Sequence, residues 1–268
     1  MAETDGTNSG ERPRSPGFMH IAMELRALWE FGATIATAPF LAKAPKGDGH
    51  PVLVLPGLTA GDMSTAVLRQ FLAMWGYEPY GWRQGLNFGP RPGVLEKSMD
   101  HLRRLHEHTG RKVSIVGWSL GGIYAREFAK EVPHTVRQVI TLGAPFAAHP
   151  KSTNAWRLFE LTAGQRVDDP DLHEPLRESP PVPTTSIWSR TDGVVSWKCS
   201  IEPDAEHTEN IAVCASHMGL GMHPAVLYAI ADRLSQPEGQ WRPFERAGMR
   251  RFLYGDPQRR IFERRAAG

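Results

Sequence analysis

The residue best suited to nucleophilic chemistry is Ser119, in the segment Gly117-Trp118-Ser119-Leu120-Gly121, which matches the pattern G-x-S-x-G. Val113, Ile115 and Val116 before it predict a buried strand, and apolar residues recur at helical spacing over 124–129. A strand, a tight turn and a helix would hold a serine in a strained backbone conformation with its hydroxyl exposed. The pattern therefore predicts a nucleophilic serine; the alternative is an ordinary serine in a glycine-rich turn.

A serine hydroxyl becomes a good nucleophile only when a base takes its proton and a carboxylate orients that base. On a parallel sheet of this kind the three residues follow in the order Ser, Asp or Glu, His. Asp192 comes just after a predicted strand over 184–188, and His217 comes just after one over 210–213. We therefore assign Asp192 as the acid and His217 as the base. The weaker candidates are Glu202, Asp204 and Glu206 for the acid, and His207 and His223 for the base.

Acyl transfer also needs hydrogen-bond donors for the oxyanion of the tetrahedral intermediate. The backbone N–H of Leu120, directly after the serine, is one expected donor. The second is expected from Leu58 in Pro56-Gly57-Leu58-Thr59, because Gly57 allows the backbone to turn that amide toward Ser119. Residues expected to border the substrate are Thr59, Met63, Trp118, Trp156, Phe159 and Met218.

The elements that would position these residues alternate between strand and helix from residue 49 onward. The sequence predicts strands at 51–55, 77–82, 113–116, 136–142, 184–188 and 210–213, the first of them an apolar run. Amphipathic spacing predicts helices between them and a last helix over 224–234, and Asp62 or Ser64 is expected to cap the first of these helices. This alternation favours an α/β fold with a mostly parallel central sheet and helices on both faces.

The alternation predicts one domain over 47–236, with an insertion at about 147–181 where binding loops gather. Residues 1–17 are polar and are predicted to be a disordered leader, and 18–46 are predicted to hold an amphipathic helix. The last segment, 237–268, interleaves eight arginines with aromatic residues. It either wraps the domain with its aromatic residues inward or contacts an anionic membrane, and 18–42 is the other candidate for membrane contact.

Composition adds few constraints. The chain has 268 residues and a net charge of +2, which does not favour nucleic acid as a partner. No metal or cofactor is expected, because His101, His106 and His108 lie on a polar helix face without a carboxylate at ligand spacing. No secretory signal is visible, so a cytoplasmic location is expected. The pair Cys199 and Cys214 is either reduced or forms a disulfide, and the second case would indicate a periplasmic or secreted protein.

Five segments together resemble the α/β-hydrolase superfamily, and within it the bacterial lipases and esterases of the triacylglycerol-lipase type. The resemblance covers about 50–235 and implies the α/β-hydrolase fold, a Ser-His-Asp triad, a short helical lid and a lipid or other small ester as substrate. The expected activity is hydrolysis of carboxylic esters; acyl transfer, thioester or amide hydrolysis, and a non-catalytic binding module are the alternatives. The segments are PGL at 56–58, GWSLGG at 117–122, LGAP at 142–145, SRTDGVV at 189–195 and SHMGL at 216–220.

Overall fold

The structure is a computed structural model. It describes residues 15–17, 20, 23–27, 29–30, 32, 37–147, 153–154, 160–161, 176–248 and 250–256.

The centre of the described fold is a six-stranded sheet in which every neighbouring pair of strands is parallel. The spatial order is β2-β1-β3-β4-β5-β6. Because parallel neighbours require crossover connections, helices lie between the strands along the chain. The strands are β1 (Pro51–Leu55), β2 (Glu78–Gly81), β3 (Val113–Trp118), β4 (Val136–Leu142), β5 (Thr184–Ser189) and β6 (Thr208–Val213).

The helices cover both faces of this sheet, as the alternation predicts. Among the described residues, the α-helices with defined bounds are α1 (Ala38–Leu41), α2 (Ala66–Met74), α3 (Val94–Thr109), α4 (Leu120–Glu131), α5 (Pro224–Leu234) and α6 (Arg250–Leu253). Short 3₁₀ helices occur at Met23–Arg26, Asp62–Thr65, Pro133–Thr135 and Trp197–Ser200.

Two hydrophobic clusters lie on opposite faces of the sheet, because successive side chains of a strand point to opposite sides. Val52 and Val54 of β1 belong to the cluster that contains α2 and α5. Leu53 and Leu55 belong to the cluster that contains α3 and α4. The central strands are buried on both faces, which explains why β1 is a continuous apolar run and why β3 and β4 do not alternate strictly between apolar and polar residues.

The predicted cap of α2 is wrong. Its N-cap residue is Thr65, without a side-chain hydrogen bond, and the Ser64 hydroxyl donates to the carbonyl of Gly61. The Asp62 carboxylate instead accepts the backbone N–H groups of Trp82 and Arg83, at 2.9 and 3.0 Å. A carboxylate can satisfy either a helix terminus or these two donors, and here it joins the start of the helical region to the end of β2.

The C-terminal segment packs against the domain as far as it is described. Phe244 and Tyr254 are buried in the cluster that contains α5, and the N–H of Gly255 donates to the carbonyl of Ala212 in β6. Phe252 remains exposed. Residues 257–268 lie outside the described residues. Within the described ranges, no helix has the length and apolar character needed to cross a membrane.

Candidate active site

Ser119 occupies the sharp turn between β3 and α4. Its φ of 51° and ψ of −119° are unusual for a residue with a side chain, and such a conformation costs about 1–3 kcal/mol. The glycines on either side are required by close packing: a Cβ on Gly117 would collide with the backbone of Gly121, and one on Gly121 would collide with the carbonyl of Leu55. The turn is therefore held in a strained conformation by the two strands and the helix around it.

Asp192 and His217 form a buried carboxylate–imidazole pair. The Nδ1 atom of His217 lies 2.7 Å from Oδ2 of Asp192, and both residues are less than a tenth exposed. The other carboxylate oxygen, Oδ1, accepts the backbone N–H groups of Val194 and Val195 at 2.8 and 2.7 Å. The Asp192 side chain is thus fixed by its own turn before it reaches the histidine.

The surroundings of His217 favour its protonated form. Burial lowers the pKa of His217, but the negative charge of Asp192, their hydrogen bond and the charge of Glu24 outweigh burial and raise that pKa above its ordinary value. An imidazole that is held through Nδ1 keeps Nε2 as the atom available for proton transfer.

Two structural neighbours link the His217–Asp192 pair to the turn of Ser119. The indole N–H of Trp118, directly before the serine, donates to the carbonyl of His217 at 3.1 Å. Gly143 follows Leu142, whose carbonyl accepts the N–H of Ser119. A Cβ on Gly143 would lie 3.1 Å from both Oδ2 of Asp192 and Nδ1 of His217. The serine turn and the acid–base pair are therefore packed against common residues at the carboxyl ends of β3 and β4.

The loop after β1 approaches Ser119 from the other side. A Cβ on Gly57 would lie 3.2 Å from Cβ of Ser119, which is a tight contact, so glycine suits this close approach. Thr59 has a φ of 57°, and its N–H donates to the carbonyl of Asn87 at 2.6 Å. Leu58 lies between Gly57 and Thr59. As the first residue of α4, Leu120 has an N–H without an acceptor inside its helix.

Asn87, a residue without a functional signal in the sequence, holds the loop after β1. Its side-chain N–H donates to the carbonyl of Pro56 at 2.9 Å, and its Oδ1 accepts the hydroxyl of Tyr124 at 3.2 Å. The residue is fully buried in a glycine- and proline-rich loop. An asparagine in such a loop is typical of a turn, so its type alone carries no signal of this role.

The residues assigned to substrate binding occupy different environments. Trp118 is buried beneath the His217 loop, whereas Met63, Met218 and Thr59 are exposed near the turns just described. Trp156 and Phe159 lie outside the described residues, as does most of the predicted lid at 147–181.

The rival acids and bases have other contacts. Glu202 forms a buried ion pair with Arg126 and accepts the hydroxyl of Ser179 at 2.7 Å. His223 is the N-cap of α5 and accepts the N–H of Ala225 through its ring. The remaining rivals, Asp204, Glu206 and His207, are exposed.

In the described part of the chain, the cysteines and the histidines other than His217 do not form a metal-binding cluster. Cys199 is buried, Cys214 is exposed, and neither forms a disulfide. His101 contacts the carbonyl of Gly81 through Nε2 at 3.1 Å. No group of three or more His, Cys, Asp and Glu side chains suited to a metal ion occurs among the described residues.

Solved structures with a similar fold include lipases and other hydrolases. The lipase B of Aspergillus fumigatus is 17% identical with a TM-score of 0.56, and the match covers 74% of this chain but only 55% of that lipase. The monoacylglycerol lipase of Paleococcus ferrophilus is 15% identical with a TM-score of 0.51, over 70% of this chain and 96% of that one. An alpha/beta superfamily hydrolase from Oenococcus oeni PSU-1 is 17% identical with a TM-score of 0.51, over 69% and 91%.

No family model and no curated protein sequence matches the chain. The structural likeness, together with the all-parallel sheet and its strand order, confirms the predicted fold class: the chain has the α/β-hydrolase fold.

Proposed function

We propose that the protein hydrolyses carboxylic esters through a Ser-His-Asp triad made of Ser119, His217 and Asp192. The observation that carries this proposal is the buried 2.7 Å contact between His217 and Asp192, packed against the same residues as the strained turn of Ser119. A buried carboxylate on Nδ1 sets the tautomer in which Nε2 accepts a proton. The lipases among the solved structures with this fold further support an ester substrate.

The reaction begins when Oγ of Ser119 attacks the acyl carbon while its proton moves to Nε2 of His217. Asp192 stabilises the imidazolium that forms. The backbone N–H groups of Leu58 and Leu120 donate to the oxyanion. The tetrahedral intermediate then collapses, the ester C–O bond breaks, and the alcohol leaves with the proton from His217.

Water completes the cycle by the same chemistry in reverse. His217 takes a proton from water, the resulting hydroxide attacks the acyl carbon, and the second intermediate releases the carboxylic acid and the free hydroxyl of Ser119. The residues of the triad are thereby restored to their starting protonation states.

The test combines covalent labelling with turnover. A fluorophosphonate probe and p-nitrophenyl esters from C2 to C16 are applied to the wild type, to Ser119→Ala, and to Ser235→Ala as a matched control at the C-cap of α5. We expect Ser119→Ala to lose labelling and several orders of magnitude of turnover, and the control to keep both. Near-wild-type turnover in folded Ser119→Ala contradicts the proposal.

The same assay separates hydrolysis from acyl transfer. When a primary alcohol is added beside water, hydrolysis yields the free acid as the dominant product, whereas a transferase yields mainly the new ester. The rate across acyl lengths then defines the preferred substrate.

A further inference from the structure

A segment far from the triad in sequence lies against both of its loops. Glu24 is in the short 3₁₀ helix Met23–Arg26. Its Oε1 atom accepts the N–H groups of Gly193 at 2.7 Å and His217 at 2.9 Å, and its Oε2 atom accepts the N–H of Met218 at 2.9 Å. One carboxylate thus joins the loop that carries Asp192 to the loop that carries His217.

Two more charged side chains of this segment also bind the loops that carry Asp192 and His217. The buried Glu30 accepts the N–H of Ser216 at 2.8 Å through Oε1 and the Ser216 hydroxyl at 2.5 Å through Oε2. Arg26 donates through Nε to Glu30 at 3.0 Å, and through Nη2 to the carbonyl and hydroxyl oxygens of Thr191 at 3.2 and 2.5 Å. The residues directly before the acid and the base are therefore also held by the N-terminal segment.

Glycines in both loops make room for these contacts. A Cβ on Gly193 would collide with the carbonyl of His20 and would lie 2.9 Å from Oε1 of Glu24. A Cβ on Gly219 would collide with the carboxylate of Glu30. Neither glycine has a positive φ, so backbone conformation does not require glycine at either position. The requirement comes from the N-terminal segment itself.

We propose that Glu24 is a positioning residue of the active site, which sets the spacing of the Asp192 and His217 loops by accepting N–H groups from both. This inference rests on the proposed function, because it concerns the geometry of the same triad. A carboxylate suits the role, since it can accept several N–H groups at once and hydrogen bonds to an ionised acceptor are strong.

The charge of Glu24 gives the proposal a second consequence. Among the described residues, the charged and titratable groups on the elements packed around His217 are Asp192 from the loop after β5 and Glu24, Arg26 and Glu30 from the N-terminal segment, with His223 before α5 near Glu30 and Arg26. The charge of Glu24 adds to that of Asp192 in raising the pKa of His217. Neutralising Glu24 lowers this pKa, so the neutral base persists to lower pH.

The experiment compares Glu24→Gln and Glu24→Ala in the full chain, with Glu131→Gln as the control on the exposed end of α4. In Glu24→Gln the amide oxygen can still accept two N–H groups, but the NH₂ group faces the third donor. We expect kcat to fall on the order of tenfold in Glu24→Gln and on the order of a hundredfold in Glu24→Ala, with KM little changed. We also expect the acid limb of kcat/KM to move to lower pH in both variants.

Fluorophosphonate labelling counts the folded active sites, so that lost protein is not mistaken for lost kcat. If folded Glu24→Gln keeps the wild-type kcat and acid limb while Ser119→Ala is inactive, the inference is overturned and the proposed function stands. If Ser119→Ala remains active, the proposed function fails and the inference fails with it. Should Glu24→Ala not fold, Glu24→Gln alone decides by the same two readouts.

Discussion

Replacing Asp192 by asparagine tests the acid–base pair most directly, because the two side chains have the same shape. The wild-type carboxylate serves three donors: Val194 and Val195 through Oδ1, and His217 through Oδ2. An asparagine has one acceptor and one donor group in their place, so it cannot serve all three.

The amide side chain that this change introduces has two orientations, and the structure decides between them. If its oxygen faces His217, its NH₂ group faces two backbone N–H groups, and each unpaired buried donor costs about 1–3 kcal/mol. If its oxygen keeps Val194 and Val195, its NH₂ group donates to Nδ1 of His217, which must then be unprotonated. The second orientation loses fewer bonds and places the proton of the neutral imidazole on Nε2. In that tautomer the base cannot accept the proton of Ser119.

We therefore expect Asp192→Asn to fold and to lose turnover by a factor on the order of 10⁴, which corresponds to about 5 kcal/mol of transition-state stabilisation. Steady-state hydrolysis of a p-nitrophenyl ester and the rate of fluorophosphonate labelling measure the loss. The control is Asp204→Asn, an exposed acid in the following loop. A loss of less than tenfold in folded Asp192→Asn refutes the assignment of the acid.

Four further outcomes are expected. Gly143→Ala forces a side chain into a φ of 56° beside the acid–base pair and should destabilise the fold by about 2 kcal/mol in urea titration while reducing turnover. Arg126→Met should lower the free energy of unfolding by about 3–5 kcal/mol, because it leaves the buried carboxylate of Glu202 without its ion-pair partner. Adding Glu202→Leu should recover most of that loss. Burial lowers the pKa of His50 to about 4. Since the unfolded state binds the extra proton, stability that is full above pH 6.5 should fall by up to ~3 kcal/mol as the pH drops toward 4, and His50→Asn should flatten this dependence in urea titrations at each pH. Membrane contact by the segment 237–268 remains a proposal. Removing 257–268 should reduce cosedimentation with anionic liposomes, and equal sedimentation would exclude those residues from membrane binding.

The strands and the serine turn were predictable because their causes are local. A strand buried on both faces is rich in apolar residues, and residues 113–118 and 136–142 are each mostly apolar apart from a few buried polar side chains. The glycines around Ser119 are close to it in sequence and are needed for contacts among β1, β3 and α4. The pairing of Asp192 with His217 followed from topology, since both residues come after strands whose carboxyl ends lie at one edge of the sheet.

The capping role of Asp62 could not be decided from sequence. An Asp before an apolar helical pattern is the usual signal of an N-cap, and that signal is present. The competing donors, Trp82 and Arg83, follow a different strand about twenty residues later. Only the packing of β2 beside β1 brings these donors to the carboxylate of Asp62. Tertiary contacts therefore decided its hydrogen bonds, not the local preference of Asp for the N-cap.

The contacts of the N-terminal segment with the active-site loops could not be predicted from sequence either. In the sequence, Glu24 and Glu30 interrupt an apolar stretch, and Gly193 and Gly219 are ordinary glycines of turns beside the acid and the base. The role of each residue depends on the others, because the glycines leave space that is occupied by two carboxylates from nearly two hundred residues earlier in the chain. Because a Cβ at residue 219 and the carboxylate of Glu30 would occupy the same space, any side chain there must displace the segment that orders the base loop. Gly219→Ala should therefore change the geometry around His217 without altering a single atom of the triad.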